Sequence, residues 1–438
     1  MKRLLFVSPH YPPDGAAGTH RARVLAPYLP RHGWRPTVLT VNREAYEGSL
    51  DLELEQMADD GVEVIRASAL SATWTRRLGV GDLGLRALPG LRSAARRELA
   101  RGDYDAIYVT TYPIYPALLA PSLKREFGVP FVLDLQDPWV GAWGASVGPG
   151  TAGAPNLKSR ISRTVAAVIE RRVVPHADAL TSVSSELLDS LRATYPVLET
   201  RPSLELPIGL DPRDIELASS QPAHNPFFDS ADGMCHVSYV GTLLPLAMDV
   251  VRVLFEGVRE LRRTDPALAA RLRLHFIGTS NQAQPGGPER ARMIAREMGI
   301  GDLVTEHPAR VPFAAALRAQ LASTALLILG STEARYTASK VAPALASGRP
   351  ILAIAHAHSD ALRQLRDAND ATVQVIGFDD PASVRACVEP VSQVLREWLR
   401  VSPTSRPPAE RLAMMSALTA PVLAGRLAGL LDRVTEPS

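Results

Sequence analysis

Cysteine is nearly absent from this chain. Only Cys235 and Cys387 occur in 438 residues, in no CxxC or Cys/His cluster, which excludes a disulfide framework and a structural zinc site and fits a reducing cytoplasm. An excess of one charge is missing too: 48 Lys and Arg against 46 Asp and Glu leave a net charge of +2. No whole-molecule field gathers polyanions, so no nucleic acid is expected as the main partner. Long apolar runs are also lacking, because charges or prolines interrupt every stretch that approaches bilayer length, and any membrane contact is expected to be peripheral. Leu4 to Val7 is too short for a signal-peptide core and is broken at Pro9, so export by that route is not expected.

What is present is apolar content of 46%, spread over a chain too long for one ordinary core, which predicts two domains. The chain opens with a strand at Leu4–Val7, a Pro/Gly loop from Pro9 to Gly18 and an amphipathic helix from about Arg21 to His32. Further strands are read at Thr37–Val41, Val62–Ile65, Ala106–Thr110, Phe131–Leu135 and Ala179–Val183. A stretch rich in Pro, Asn, Ser and Asp from Pro207 to Gly233 reads as a hinge. A second series follows, with strands at His236–Val240, Leu272–Ile277, Ala325–Leu329, Ile351–Ala355 and Thr372–Ile376. Strands alternating with helices imply parallel sheets covered on both faces. The expected fold is therefore α/β, with two doubly wound, Rossmann-like domains at 1–210 and 211–400, and helices at 401–438 packing back on the body.

In such sheets ligands bind beyond the carboxyl ends of the strands, so the loops after strands hold the candidate residues. In the first loop Gly15 and Gly18 free the backbone to approach a ligand, and the following helix start offers N–H groups for a phosphate or for sugar hydroxyls; a mere tight connection is the alternative. Arg21, at that helix start, is a candidate for the acceptor-side loop and reads equally well as an ordinary solvated or inter-domain cation. The segment DLQDPW puts Asp134 and Asp137 at the end of a strand that otherwise reads as buried. Buried carboxylates need partners or a role, which favours Asp137 as the catalytic candidate and Asp134 as its support, with a helix cap before Pro138 as the alternative. The two aspartates of this segment are not spaced as a DxD pair, so no metal site is expected there.

In the second half, Gly241-Thr242 and Gly278-Thr279 each follow a strand, where backbone N–H groups can meet an anion. Glu333, Ser339 and Lys340 crowd the loop before a short helix that ends at Gly348. A cation is unfavourable at a helix start on dipole grounds, so Lys340 there suggests an anionic ligand such as a diphosphate.

These segments, in this order, resemble the glycosyltransferase family 4 type of GT-B enzyme over nearly the whole length. SPHYPPDGAAGTHR is similar to the family's glycine-rich loop, with Gly18 and Arg21 at matching positions, and DLQDPW to its Asp-x-x-Asp-Pro-Trp segment. PIGLD resembles the crossing between domains, YVGTL the opening of the second domain, and SKVAPALASGRPILA the donor-site helix and its strand. The resemblance implies a retaining, metal-independent transferase that moves a sugar from a nucleotide-diphosphate sugar to a glycan, lipid-linked or small-molecule acceptor. The nucleotide sugar is then a substrate, and no cofactor is implied. It further implies that Lys340 and the Gly241-Thr242 amides hold phosphate, while Asp137 and the Gly15–Gly18 loop shape the acceptor and transferred-sugar side.

Two departures stand against that picture. The family commonly places a glutamate in the donor-site helix and another eight residues before it, where this chain has Pro343 and Arg335. The basic pair after the YVG strand is replaced by Thr242 and Leu243. A non-catalytic nucleotide-sugar or glycan-binding protein is therefore one alternative, and a sugar-nucleotide epimerase on the same fold, which would want acid/base carboxylates and histidines such as His10 or His20, is another. Arg76, Arg77, Arg86, Arg92, Arg96, Arg97 and Arg101 form a basic run with interspersed leucines. It reads either as a solvated face or as a surface that rests on anionic lipid at the inner face of the membrane.

Overall fold

The computed structural model describes residues 1–48, 50–58, 61–77, 79–140, 157–220, 225–280, 287–332 and 340–436. The chain divides into two compact units, Met1–Ile208 with Ala420–Ser438, and Gly209–Thr419. The first expected boundary thus falls between Ile208 and Gly209. The tail expected as one group at 401–438 divides between the units at Thr419.

The first unit is built on seven parallel strands: β1 (Lys2–Val7), β2 (Trp34–Val41), β3 (Glu63–Ala67), β4 (Ala106–Thr110), β5 (Phe131–Leu135), β6 (Ala179–Ser182) and β7 (Ser203–Glu205). Their order in the sheet is β3-β2-β1-β4-β5-β6-β7, so connections run one way from β1 and the other way from β4. Both faces are buried, which the alternation within β1 makes plain. Leu5 and Val7 join one apolar core, and Leu4 and Phe6 join the other together with Leu423, Leu427 and Leu431 of the helix Ala420–Thr435.

The second unit has six parallel strands: β8 (Cys235–Val240), β9 (Leu272–Ile277), β10 (Val304–His307), β11 (Ala325–Leu329), β12 (Ile351–His356) and β13 (Val373–Phe378). Their order is β10-β9-β8-β11-β12-β13, with the reversal of connection between β8 and β11. Its main core gathers Val237 and Tyr239 of β8 with Phe255, Phe276 and Leu352. Both sheets are doubly wound and parallel, as the alternation of strands and helices implies.

Local differences have local causes. The helix expected from Arg21 to His32 begins at Thr19 and gives way at Ala26 to a 3₁₀ turn through His32, because Pro30 lies inside it and cannot donate a helical hydrogen bond. The presumed hinge carries a helix, Pro212–Ser220, whose first position is the proline. Strands β7 (SLE) and β10 (VTEH) escaped the reading because they are short and half polar. The basic run lies mostly on two helices, Ala72–Arg77 and Leu83–Leu99. Arg86 is buried and donates to the carbonyls of Leu70 and Ala45 and to Glu47. Arg76 pairs with Glu47, Arg96 with Glu126 and Arg101 with Glu98, so much of its charge is answered within the protein. Among the described residues no helix is long and apolar enough to cross a membrane.

Candidate functional site

Each sheet has one place where neighbouring connections leave in opposite directions and the strand ends open. These are the gap between β1 and β4 in the first unit and that between β8 and β11 in the second.

In the first unit, Arg21 and Asp134 lie just beneath that gap. Arg21 is not a solvated cation: it is 2% exposed, and its Nε donates to Asp134 Oδ2 at 3.0 Å. Its remaining nitrogens donate to the carbonyls of Leu206 at 2.7 Å and Pro207 at 3.0 Å. Asp134 also accepts from Thr181 Oγ1 at 2.7 Å and from Gln136 Nε2 at 3.1 Å. Tyr108, hydrogen-bonded to Thr181, has its hydroxyl pKa pushed well above the usual range, first by burial and then by the charge of Asp134. This network joins β4, β5, β6 and the end of β7, and all of its members but the half-buried Gln136 are buried.

Asp137 keeps an exposed surface, and desolvation by the protein beside it pushes its carboxyl up to about 6, which leaves it ionised at neutral pH. The following Trp139 is anchored, its indole N–H donating to Thr111 Oγ1 at 3.2 Å, while Thr111 donates to the Asp134 carbonyl at 2.7 Å.

The glycine loop works differently from the expectation. The helix Thr19–Leu25 is short, and its first amides are spent locally, Thr19 on the Ala16 carbonyl and His20 on that of Ala17. Gly18 serves packing instead: a Cβ there would stand 2.8 Å from Tyr112 Cδ1 and 3.3 Å from His10 Cδ2. Gly15 lies on the same loop, next to the turn formed by Asp14 and Ala16.

In the second unit, Lys340 stands over the gap between β8 and β11. Its ammonium donates to the Thr242 carbonyl at 2.7 Å and to the Tyr239 hydroxyl, and it lies 4.2 Å from the centre of the Tyr239 ring. Among the described residues no carboxylate pairs with it, and desolvation lowers its pKa to about 7. Gly241 is what lets the lysine lie there, since a Cβ at this position would stand 2.7 Å from Lys340 Cε. The Gly241 amide is not free to hold phosphate, because it donates to Ile277 at 2.8 Å, and the Gly278 amide donates to His307 at 2.8 Å. The Thr242 carbonyl rather than its hydroxyl faces the lysine. Glu333, Ser339 and Arg335 lie outside the described residues. Pro343 stands inside the helix Val341–Ser347, where a glutamate was looked for.

Below that helix, Arg411 is buried and donates to the carbonyls of Ala346 and Ser347, closing its C-terminal end. Sequence reasoning missed Tyr239, whose only signal was an aromatic two residues before the glycine that follows its strand. It also missed the closeness of His10 and Asp14, four residues apart in a proline-rich loop.

Two doubly wound parallel units carried in one chain, each with its polar residues at the switch point, define the GT-B fold class. Residues 17–201 match the family model described as a glycosyl transferase 4-like domain. No curated protein matches the chain in sequence. Among solved structures it is similar to a glycosyltransferase from Rickettsia africae, at 12% identity and a TM-score of 0.59, over 100% of this chain and 99% of that one. It is also similar to HepE from Anabaena in complex with UDP and glucose, at 14% identity and a TM-score of 0.57, over 99% of this chain and 100% of that one. A putative UDP-N-acetylglucosamine 2-epimerase from Listeria monocytogenes shares the fold at 12% identity and a TM-score of 0.52, over 98% and 95% of the two chains.

Proposed function

We propose that this protein is a glycosyltransferase that takes a sugar from a nucleotide-diphosphate sugar, with Lys340 as the cation that meets the diphosphate. The observation that carries the reading is the state of Lys340: a desolvated ammonium over the switch point of a doubly wound sheet, held among the described residues by an aromatic hydroxyl and a carbonyl. Neutral partners orient the ammonium without cancelling it, so an arriving diphosphate supplies the missing charge. HepE binds UDP, and a uridine nucleotide is accordingly the first probe. Retention of anomeric configuration, independence from metal, and a glycan, lipid-linked or small-molecule acceptor complete the reading. In this reading Asp137, ionised and exposed, serves the acceptor side.

The test is calorimetric titration with UDP and UDP-glucose, without added metal, on the wild type and on Lys340→Ala. Binding that weakens about tenfold or more in the variant, with a folded circular-dichroism spectrum and a cooperative melt, supports the reading. Equal affinity in both proteins removes Lys340 from the site, and absence of binding to any nucleotide diphosphate removes the donor.

Pro343 and Arg335, at the positions where glutamates were looked for, favour a second reading in which the protein binds a nucleotide sugar without turning it over. Binding without release of nucleotide diphosphate distinguishes the two.

A further inference from the structure

The second sheet has two unlike faces. One carries its main core, to which β8 gives Val237 and Tyr239, β9 gives Leu274 and Phe276, and β10 gives Val304. Side chains alternate along a strand, so His236 of β8, His275 of β9 and His307 of β10 stand on the other face. They form a staircase across three neighbouring strands, because His275 is in register with Ser238 and Thr305, each two residues from one of the other histidines.

Asp232 Oδ1 accepts from the Met234 amide at 2.8 Å and from His236 Nε2 at 2.8 Å, which puts the His236 proton on Nε2 and its lone pair on Nδ1. His236 Nδ1 then accepts from His275 Nε2 at 2.9 Å, and the lone pair of His275 is left on Nδ1. Among the described residues nothing bonds to His275 Nδ1 or to His307 Nε2, although both atoms are buried. Buried polar atoms without a partner are uncommon and call for a use.

The rings are covered by residues 225–234, a strap that precedes β8. Phe228 stacks on His236 at 4.5 Å and on His275 at 4.3 Å, with the planes 13° and 21° apart, and Phe227 meets His307 edge-on at 5.1 Å. The amides of Phe227, Ala231 and Met234 are spent on the strap's own Asn225, Asp229 and Asp232 side chains. Among the described residues no backbone hydrogen bond ties residues 225–234 to the sheet, so side chains hold the strap there. Phe227 and Phe228 also pack on the cluster of Val240, Ile277 and Ala319, whose first two members directly precede Gly241 and Gly278.

We infer that this strap is an acid-operated latch: Phe227 and Phe228 close it on neutral imidazoles, and protonation of His275 and His307 opens it while the sheet stays folded. The inference stands apart from the transferase reading. The bond between His236 and His275 needs a lone pair on one of two nitrogens 2.9 Å apart, and two imidazoliums would present only protons to one another, which parts the rings. Burial, and then the charges of His236, His307 and Arg273, lower the His275 pKa from 6.5 to about 3, with Asp232 acting the other way. Burial also lowers that of His307, against the charge of Glu289. The charged groups acting on the rings are therefore Asp232 from the strap, Arg273 from β9 and Glu289, ahead of the helix Arg290–Glu297. The helix Phe313–Ala322, which packs on this face through Ala319, carries Arg318 as its one charged residue. Opening returns the rings to water, so below pH 6.5 the open form binds more protons than the closed one. The closed form then loses up to about tenfold in relative population per pH unit for each histidine.

The experiment labels the protein with 4-fluorophenylalanine and follows the fluorine resonances of Phe227 and Phe228 from pH 8 to pH 4.5, with far-UV circular dichroism in parallel. Phe227→Leu and Phe228→Leu assign the two resonances. Both are expected to pass to a solvent-exposed position below pH 6.5 at constant circular dichroism, the open fraction growing up to about tenfold per pH unit for each histidine. In the double variant His275→Gln with His307→Gln, whose amides stay neutral, they are expected to keep one position over the same range. Resonances that stay fixed in the wild type overturn the latch, as does movement that comes only with loss of the far-UV signal, or an equal response in the double variant. Should the double variant fail to fold, the histidine C2 proton resonances of the wild type decide. The latch requires His275 to titrate in step with the movement of Phe228, and a His275 that titrates independently of it overturns the proposal.

Discussion

The two switch points of this chain handle charge in opposite ways. In the first unit Arg21 and Asp134 are both buried, and they satisfy one another, three backbone carbonyl and hydroxyl groups and a glutamine. In the second, Lys340 has, among the described residues, only a carbonyl and a phenol. A charge answered on every side is architecture, since moving any member strands the others. A charge left unanswered costs desolvation and persists where a ligand completes it. The residue that looks more dramatic in burial is therefore the less chemical of the two.

Breaking the answered charge gives the largest expected effect. Arg21→Leu leaves Asp134 buried without its cation and two carbonyls without donors, and is expected to cost about 3–5 kcal/mol in urea unfolding. A loss below about 1 kcal/mol would show that the pair does not hold β5 to the chain leaving β7. Gly241→Ala comes next: with φ of 120° and Lys340 Cε in the way, about 1–3 kcal/mol is expected, together with weaker nucleotide binding.

The unanswered charge has its own signature in pH. Lys340 has a folded pKa near 7 against 10.5 in the unfolded chain, so between these values the unfolded state holds more protons. In that window its contribution makes stability rise with pH in the wild type relative to Lys340→Met, measurable as a difference in denaturation midpoints. Binding of a diphosphate runs the other way, since it needs the ammonium. UDP affinity is expected to fall several-fold from pH 6 to pH 8.5 in the wild type and to show no such fall in Lys340→Ala. The smallest effect is a control away from both switch points: Gly429→Ala, in the helix Ala420–Thr435 with nothing within 4 Å of a new Cβ, is expected to stabilise by about 0.5–1 kcal/mol.

The sheets were legible because buried parallel strands are continuous apolar runs, and Ala106–Thr110, Phe131–Leu135, Leu272–Ile277 and Ala325–Leu329 stand where the residues put them. The polar, short β7 and β10 carry no such run. Lys340 stood out from sequence because a lysine before a helix contradicts the helix dipole. The role of Gly241 did not, since whether a glycine offers its amide or merely its lack of a side chain depends on who already holds the amide, here Ile277. Arg21 was equally opaque: nothing local to residue 21 says that Asp134, Leu206 and Pro207 converge on it. Contacts across more than a hundred residues leave no trace in periodicity.

The helix Ala420–Thr435 closes the core on β1, where Asp432 receives both Lys2 and the indole N–H of Trp34. Everything from Gly209 to Thr419 is thus, in chain order, an insertion into the first unit. During synthesis the first sheet emerges early, but its covering helix is made only after the whole of the second unit. The exposed face of Leu4, Phe6 and Leu25 must wait through the making of an entire second unit. A nascent chain stopped at residue 419 is expected to be held by chaperones, whereas adding residues 420–438 as a separate peptide is expected to release it.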